Sequence, residues 1–282
     1  MSLKINSDII IDRNVINLGI SQQKMIRNGW GEDVLENTST EVIYYENDGH
    51  KIKGYLSYPK DLKEKYPLII WNRGGSRKSG MIDEFLACGM FGEIANWGYI
   101  VLASMYRDED EFAGRDVDDI LKLFDIADNI ENCDSKLIGM EGWSRGGLMT
   151  FHILTKTNRV NCAVIISGLT DITNHTLMEK VYFDIFGSED KNEFMKRKIQ
   201  RSPLYFAENI DANVDMLLIH GTNDEQVPHT NSLEMYEKLK DRMRNIELVL
   251  YENGDHYLKK FRKETSELRK NWFNKYLKNT IV

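Results

Sequence analysis

The chain has 282 residues, of which 41% are apolar, and a formal net charge of −7 at pH 7. This length suits one large α/β domain and also permits two domains. The acidic balance disfavours a nucleic-acid partner, and no apolar run approaches the roughly 18 residues of a membrane span. The first 20 residues lack the apolar block of a signal peptide. We therefore expect a cytoplasmic protein with neither a nucleic-acid nor a membrane partner.

The cysteines also indicate a cytoplasmic protein. Cys88, Cys133 and Cys162 lie far apart, in an odd number and without the spacing of metal ligands. Buried thiols in a reducing compartment are the expected arrangement. We expect no metal site and no organic cofactor.

Residues 1–40 have weak periodicity, and we predict them to be an N-terminal extension of a domain that spans 41–282. The extension could cap the site, pair with another subunit in a homo-oligomer, or pack along the sheet. Segments 41–46 and 51–58 are β-branched or alternating, and the turn sequence Asn47-Asp48-Gly49 separates them. This pattern predicts an antiparallel hairpin.

Six short apolar runs then predict strands that are buried on both faces of a parallel sheet: 68–71, 99–103, 137–140, 163–166, 216–219 and 247–251. Segments with helical spacing separate or follow them: 81–97, 117–130, 148–154, 233–243 and 261–277. The alternation indicates an α/β fold, with a mostly parallel central sheet and helices on both faces. Residues 171–200 interrupt it as a polar helical insertion, either a lid over the sheet's carboxyl edge or a surface excursion.

The sharpest motif is Gly142-Trp143-Ser144-Arg145-Gly146-Gly147, which fits G-x-S-x-G between a predicted strand and a predicted helix. In α/β hydrolases this turn is so tight that glycines must flank the nucleophilic serine. The backbone N–H of Arg145 would begin the helix and donate to a developing oxyanion. A second donor is expected from the loop after 68–71, where Gly75 is the first choice and Ser76 the second.

Ser144 needs a base and an orienting acid, and in this fold both follow the serine in the chain. Position along the chain disfavours five of the six histidines and leaves His256, just after the last predicted strand. Asp224 is the preferred acid, with Glu225 as its competitor and Asp171 as a more distant alternative. The disfavoured histidines are His50, His152, His175, His220 and His229, of which His220 is expected to be structural.

These residues give the chain from about 41 to 277 a resemblance to the catalytic domain of prolyl-oligopeptidase-type serine peptidases. The elbow resembles that family's G-W-S-x-G-G, the segment 220–228 is similar to its H-G-x-x-D-x-x-V-P, and Gly254-Asp255-His256 resembles its histidine loop. Two departures weaken any inference about peptide specificity. Only about 40 residues precede the region, so we expect a catalytic domain without the family's β-propeller. Arg73 and Ser76 also replace the usual histidine and proline around the Gly-Gly pair.

We therefore predict a serine hydrolase that acts through an acyl-enzyme on Ser144, with a small ester or short peptide as substrate. A carboxylesterase or an enzyme similar to dienelactone hydrolases is the alternative, and an acyltransferase uses the same three side chains. A binding protein without turnover is a further alternative. Three arginines near the site, Arg73, Arg77 and Arg145, could attract a carboxylate, but we expect them to be solvated surface side chains.

Overall fold

The computed structural model describes residues 3–6, 8–77 and 79–278. Within these ranges, nine strands form a single sheet: β1 (Ile10–Val15), β2 (Thr38–Asn47), β3 (His50–Pro59), β4 (Tyr66–Asn72), β5 (Ile100–Ser104), β6 (Cys133–Trp143), β7 (Cys162–Ile166), β8 (Asp215–Gly221) and β9 (Ile246–Tyr251). Their order is β1-β2-β3-β5-β4-β6-β7-β8-β9. The pairs from β1 to β5 are antiparallel, and those from β5 to β9 are parallel. The mostly parallel sheet and the hairpin are therefore confirmed.

The α-helices of the described residues are α1 (Ile20–Trp30), α2 (Val34–Asn37), α3 (Glu84–Asn96), α4 (Asp116–Asp128), α5 (Arg145–Leu154), α6 (Glu179–Phe186), α7 (Lys191–Arg201), α8 (Thr230–Leu239) and α9 (Arg262–Phe273). Helices α4, α5 and α8 pack on one face of the sheet, and α3 and α9 pack on the other. Because alternate residues of a strand point to opposite faces, Ile70 contributes to one core and Ile69 to the other. None of the described helices is both long and apolar enough to cross a membrane.

The N-terminal residues carry two elements that the periodicity did not indicate. Strand β1 adds an edge to the sheet by pairing with β2, and α1 packs beside α3 through a small cluster around Ile26 and Val34. Most of β1 is exposed and α1 buries only Ile26, so neither has a strong apolar pattern. The predicted boundary at 40/41 falls inside β2, and the outer boundaries, 1 and 282, lie outside the described residues.

His152, on α5, has a buried imidazole, and its burial makes the stability of the folded protein depend on pH. Its Nε2 lies 3.2 Å from the carbonyl oxygen of Arg201, and its ring packs against Phe206. Burial lowers the pKa of His152 from 6.5 to about 4. The unfolded chain therefore binds a proton that the folded chain excludes, and stability falls as the pH drops from 6.5 towards 4.

We expect the free energy of unfolding to decrease by about 2 kcal/mol between pH 7 and pH 5 through this group. The measurement is urea unfolding at both pH values for the wild type and for His152→Gln, which keeps a donor for the Arg201 carbonyl. Between pH 7 and pH 5, the free energy of unfolding of the glutamine variant should fall by about 2 kcal/mol less than that of the wild type. Equal losses in the two proteins would contradict the assignment.

Candidate active site

Ser144 lies in a sharp turn at the carboxyl edge of the sheet, between the end of β6 and the start of α5. Its φ of 57° and ψ of −121° are unusual for a residue with a side chain, and such strain is typical of functional turns. The N–H of Ser144 donates to the carbonyl oxygen of Ile166 at 2.9 Å, which fixes the turn against β7. The serine therefore stands at the N-terminus of α5, where unpaired helix N–H groups stabilise negative charge.

The glycines of the motif are required by close backbone contacts. A Cβ atom on Gly142 would lie 2.2 Å from the carbonyl oxygen of Gly146. One on Gly146 would lie 2.0 Å from the carbonyl oxygen of Asn72, at the end of β4. Because both contacts are with backbone, a side chain at either position would push α5 away from the sheet.

Two further sequence candidates meet at the same edge. Asp224 follows β8, His256 follows β9, and Asp224 Oδ2 lies 2.7 Å from His256 Nδ1. A carboxylate can only accept, so Nδ1 carries the hydrogen and Nε2 is left as the basic nitrogen. The alternative acids do not take this place: Glu225 is exposed, and Asp171 accepts from Thr173.

The Asp224 carboxylate is held from several sides. Its Oδ1 accepts the backbone N–H groups of Gln226 at 2.8 Å and Val227 at 2.9 Å. Its Oδ2 also lies 3.2 Å from His220 Nε2. Burial opposes ionisation, but hydrogen bonds from His220, His256 and Val227 outweigh it and hold the pKa of Asp224 well below its usual range. His220 therefore supports the candidate acid directly, a contact that its position at a strand end did not reveal.

The backbone of His256 is tied to the serine turn. The carbonyl oxygen of His256 accepts from the indole N–H of Trp143 at 3.1 Å and from the hydroxyl of Ser167 at 3.1 Å. Trp143 directly precedes Ser144, so the candidate base and the candidate nucleophile are anchored to one turn. Within the described chain Ser144 has no direct hydrogen bond to His256, and such bonds often tighten only when substrate is bound.

Four of the five predicted site residues border one cavity of about 650 Å³: Ser144, His256, Gly75 and Arg145. Asp224 lies behind His256. The rest of the wall is largely apolar and comes from α3, from the ends of strands and the loops that follow them, and from the insertion: Trp71, Ile82, Leu86, Met90, Phe112, Trp143, Leu169, Leu177, Met178, Val181, Tyr182, Val227 and Tyr257. The cavity is suited to an apolar group beside the serine.

The insertion, residues 171–200, contributes one wall of the cavity and is hydrogen-bonded to the loop that carries Asp224. His175 Nδ1 lies 2.6 Å from the hydroxyl of Tyr182 in α6, and its Nε2 lies 2.8 Å from the carbonyl oxygen of Gln226. Since a carbonyl only accepts, Nε2 donates and Nδ1 accepts from Tyr182. Nothing in the local sequence of His175 indicates these contacts.

The expectation of solvated arginines is wrong for two of the three. Arg145 and Arg73 are each only 2% exposed. The guanidinium of Arg145 pairs with Asp110 and Asp116, which lie about 30 residues earlier in the chain and so give no local signal. Arg73 donates to the backbone carbonyl oxygens of Met105 and Gly74. Neither side chain is therefore free to attract a substrate carboxylate, whereas Arg77 is half-exposed.

The sheet, the strained serine turn and the Asp224–His256 pair define an α/β hydrolase. More narrowly, the chain belongs to the prolyl oligopeptidase family, whose model matches residues 105–280.

Several relatives are peptidases by name. "Uncharacterized peptidase YuxL" of Bacillus subtilis is 27% identical over 260 residues, which cover 84% of this chain and 39% of that protein. "Uncharacterized peptidase YtmA" of the same organism is also 27% identical, over 77% of this chain and 85% of that protein. The uncomplexed acylaminoacyl peptidase of Pyrococcus horikoshii superposes with a TM-score of 0.74 at 19% identity, over 90% of this chain and 43% of that one. The chain thus spans less than half the length of YuxL and of the Pyrococcus enzyme.

Proposed function

We propose that the protein is a serine hydrolase that cleaves a peptide, amide or ester bond through an acyl-enzyme on Ser144. The observation that carries this proposal is the 2.7 Å hydrogen bond between Asp224 and His256. This bond leaves His256 Nε2 basic, and His256 borders the cavity that also contains Ser144.

In the proposed reaction, Ser144 Oγ attacks the carbonyl carbon of the substrate while His256 Nε2 removes its proton. The carbonyl electrons move onto oxygen, where the backbone N–H groups of Gly75 and Arg145 bind the anion. Collapse expels the amine or alcohol, which takes the proton from His256, and water repeats the sequence to release the acid. Asp224 orients the imidazole and stabilises its protonated form.

The cavity favours a substrate with an uncharged, apolar group next to the scissile carbonyl. The only Lys, Arg, Asp or Glu among the described residues that line it is Arg145, and two carboxylates already neutralise this arginine. The peptidase names of the relatives support a short peptide over a small ester. Part of the wall comes from residues 171–200, and we propose that this insertion acts as a lid.

The test combines a fluorophosphonate probe with a substrate panel. Wild type, Ser144→Ala and His256→Ala are labelled in parallel, and acyl esters and aminoacyl-arylamides with apolar or charged acyl groups are assayed. We expect labelling of the wild type only, and faster cleavage of substrates with apolar groups. Faster cleavage of esters than of arylamides would favour the esterase alternative.

Two outcomes would contradict the proposal. Folded wild-type protein that never labels would favour a binding protein without turnover. Added alcohol or amine acceptors that divert the acyl group away from the free acid would indicate an acyltransferase.

A cytoplasmic location is also part of the proposal. Cys88, Cys133 and Cys162 are free and buried, as expected for a protein of a reducing compartment. Whether the chain forms a homo-oligomer stays a prediction, which the mass in solution would test.

A further inference from the structure

Asp110, in the loop between β5 and α4, contacts both segments that supply the proposed oxyanion donors. Its Oδ2 accepts the backbone N–H of Arg77 at 2.6 Å and the Nη1 of Arg145 at 2.7 Å. Its Oδ1 accepts the N–H of Phe112 at 3.0 Å and lies 2.6 Å from Arg145 Nη2. A single carboxylate therefore joins the loop after β4 to the first residue of α5.

The Arg145 side chain makes a second connection between the same two segments. Its Nη1 donates to the carbonyl oxygen of Gly75 at 3.0 Å. The backbone N–H groups of Gly75 and Arg145 are the two proposed donors, so this bond runs directly from one donor residue to the other. Gly75 has a φ of 70°, and a Cβ atom there would lie 2.3 Å from the carbonyl oxygen of Ser79. The loop therefore has a tightly defined shape that these contacts fix against α5.

The Arg145 guanidinium is buried between two carboxylates. Asp110 has a side chain only 4% exposed; burial opposes its ionisation, but Arg145 and the N–H groups of Arg77 and Phe112 keep its pKa below the usual value. Asp116 Oδ2 lies 2.5 Å from Arg145 Nη2 on the other side. The ring of Phe112 stacks on the guanidinium at 4.5 Å. A guanidinium that is bonded through both Nη atoms and stacked on an aromatic ring has little freedom to move.

We propose that Asp110 and the guanidinium of Arg145 are positioning residues that hold the N–H groups of Gly75 and Arg145 at the spacing required by the oxyanion. This inference rests on the proposed function. It assigns a role to the Arg145 side chain that is separate from the role of its backbone N–H. Preorganised donors act in the transition state and not in the ground state, so their loss should appear in kcat and not in KM.

The test is Asp110→Asn, which keeps the shape of the side chain and removes its charge. We expect kcat to fall by about tenfold to a hundredfold, less than the loss of a whole oxyanion donor, while KM changes less than twofold. A peptidyl trifluoromethyl ketone provides a second readout. Ser144 Oγ bonds to its carbonyl carbon, the carbonyl electrons form an oxyanion and His256 takes the proton. The affinity of Asp110→Asn for this ketone should fall by the same factor as kcat.

A matched control separates positioning from general stability. Arg107 and Asp119 form another buried pair, with side chains 1% and 0% exposed and an Nη2–Oδ1 distance of 2.7 Å. Both lie outside the cavity around Ser144. Asp119→Asn should lower the melting temperature but leave kcat and ketone affinity within twofold of the wild type.

The triple variant Asp110→Asn/Asp116→Asn/Arg145→Met removes all three charges of the cluster, so that no buried charge is left unpaired. The proposal predicts that its melting temperature recovers while kcat stays low. Recovery of kcat together with stability, or unchanged ketone affinity in Asp110→Asn, would overturn the proposal. Failure of the wild type to label with fluorophosphonate would instead reject the proposed function, and this inference with it.

Discussion

Asp224→Asn is expected to lower kcat by about 10⁴-fold at neutral pH while the fold is retained, the loss typical of such a change in Ser-His-Asp enzymes. The direction follows from the contacts of the carboxylate. Asp224 Oδ1 accepts two backbone N–H groups, from Gln226 and Val227, so the amide oxygen of asparagine must take that position. The NH₂ group of the asparagine then faces His256 Nδ1, which must accept a hydrogen bond from it. The hydrogen of the imidazole moves to Nε2, which can no longer remove a proton from Ser144.

Steady-state kinetics and the rate of fluorophosphonate labelling measure this effect. Glu225→Gln is the matched control, since Glu225 is exposed and adjacent in the chain. It should retain the activity of the wild type. An Asp224→Asn variant within tenfold of the wild type would show that Asp224 does not orient the base.

Gly146→Ala is expected to reduce the rate of labelling at Ser144 by a hundredfold or more and to destabilise the fold. The added methyl group would lie 2.0 Å from the carbonyl oxygen of Asn72, a backbone atom at the end of the central strand β4. Overpacking of this kind costs about 1–3 kcal/mol or more, and a shift of about 1 Å at a reacting atom can cost about a hundredfold in rate.

Gly29→Ala makes the same chemical change where there is space. Gly29 lies in α1, and the nearest atoms to an added Cβ would be the guanidinium nitrogens of Arg262 at 4.0 Å. This variant should be at least as stable as the wild type, because alanine favours helix, and equally active. Thermal melts and labelling rates of both variants provide the comparison. Normal labelling of Gly146→Ala would contradict the close packing described for the turn.

Much of the sheet follows from the sequence because central strands such as β4, β5, β7 and β8 are buried on both faces and leave short apolar runs. The expectation that 247–251 is buried on both faces is wrong, since β9 is an edge strand without a buried residue. Strands β4 to β9 and helices α3, α4, α5 and α8 fall within a few residues of the predicted segments. By contrast, β1 is an edge strand with Asp12, Arg13 and Asn14 at its centre. Its place in the sheet depends on pairing with β2, which no local pattern records.

In the candidate site too, the sequence predicts one part and not the other. Ser144, Asp224 and His256 follow strands whose carboxyl ends meet at one edge, so chain order alone brings them to one region. The supporting contacts are different, because they join residues far apart in sequence. Arg145 pairs with Asp110 and Asp116, and His175 donates to the carbonyl oxygen of Gln226. These contacts form only when the loops of neighbouring elements fold over the carboxyl edge of the sheet.

The indole of Trp143 borders the cavity and also donates to the backbone of His256. Trp71 borders the same cavity, so two of the five tryptophans of the chain face the space that a ligand would fill. The protein thus carries an intrinsic optical reporter at its proposed site. Occupancy can be followed by tryptophan emission in a variant that binds without turnover, such as Ser144→Ala, and affinity is thereby separated from chemistry without an attached dye.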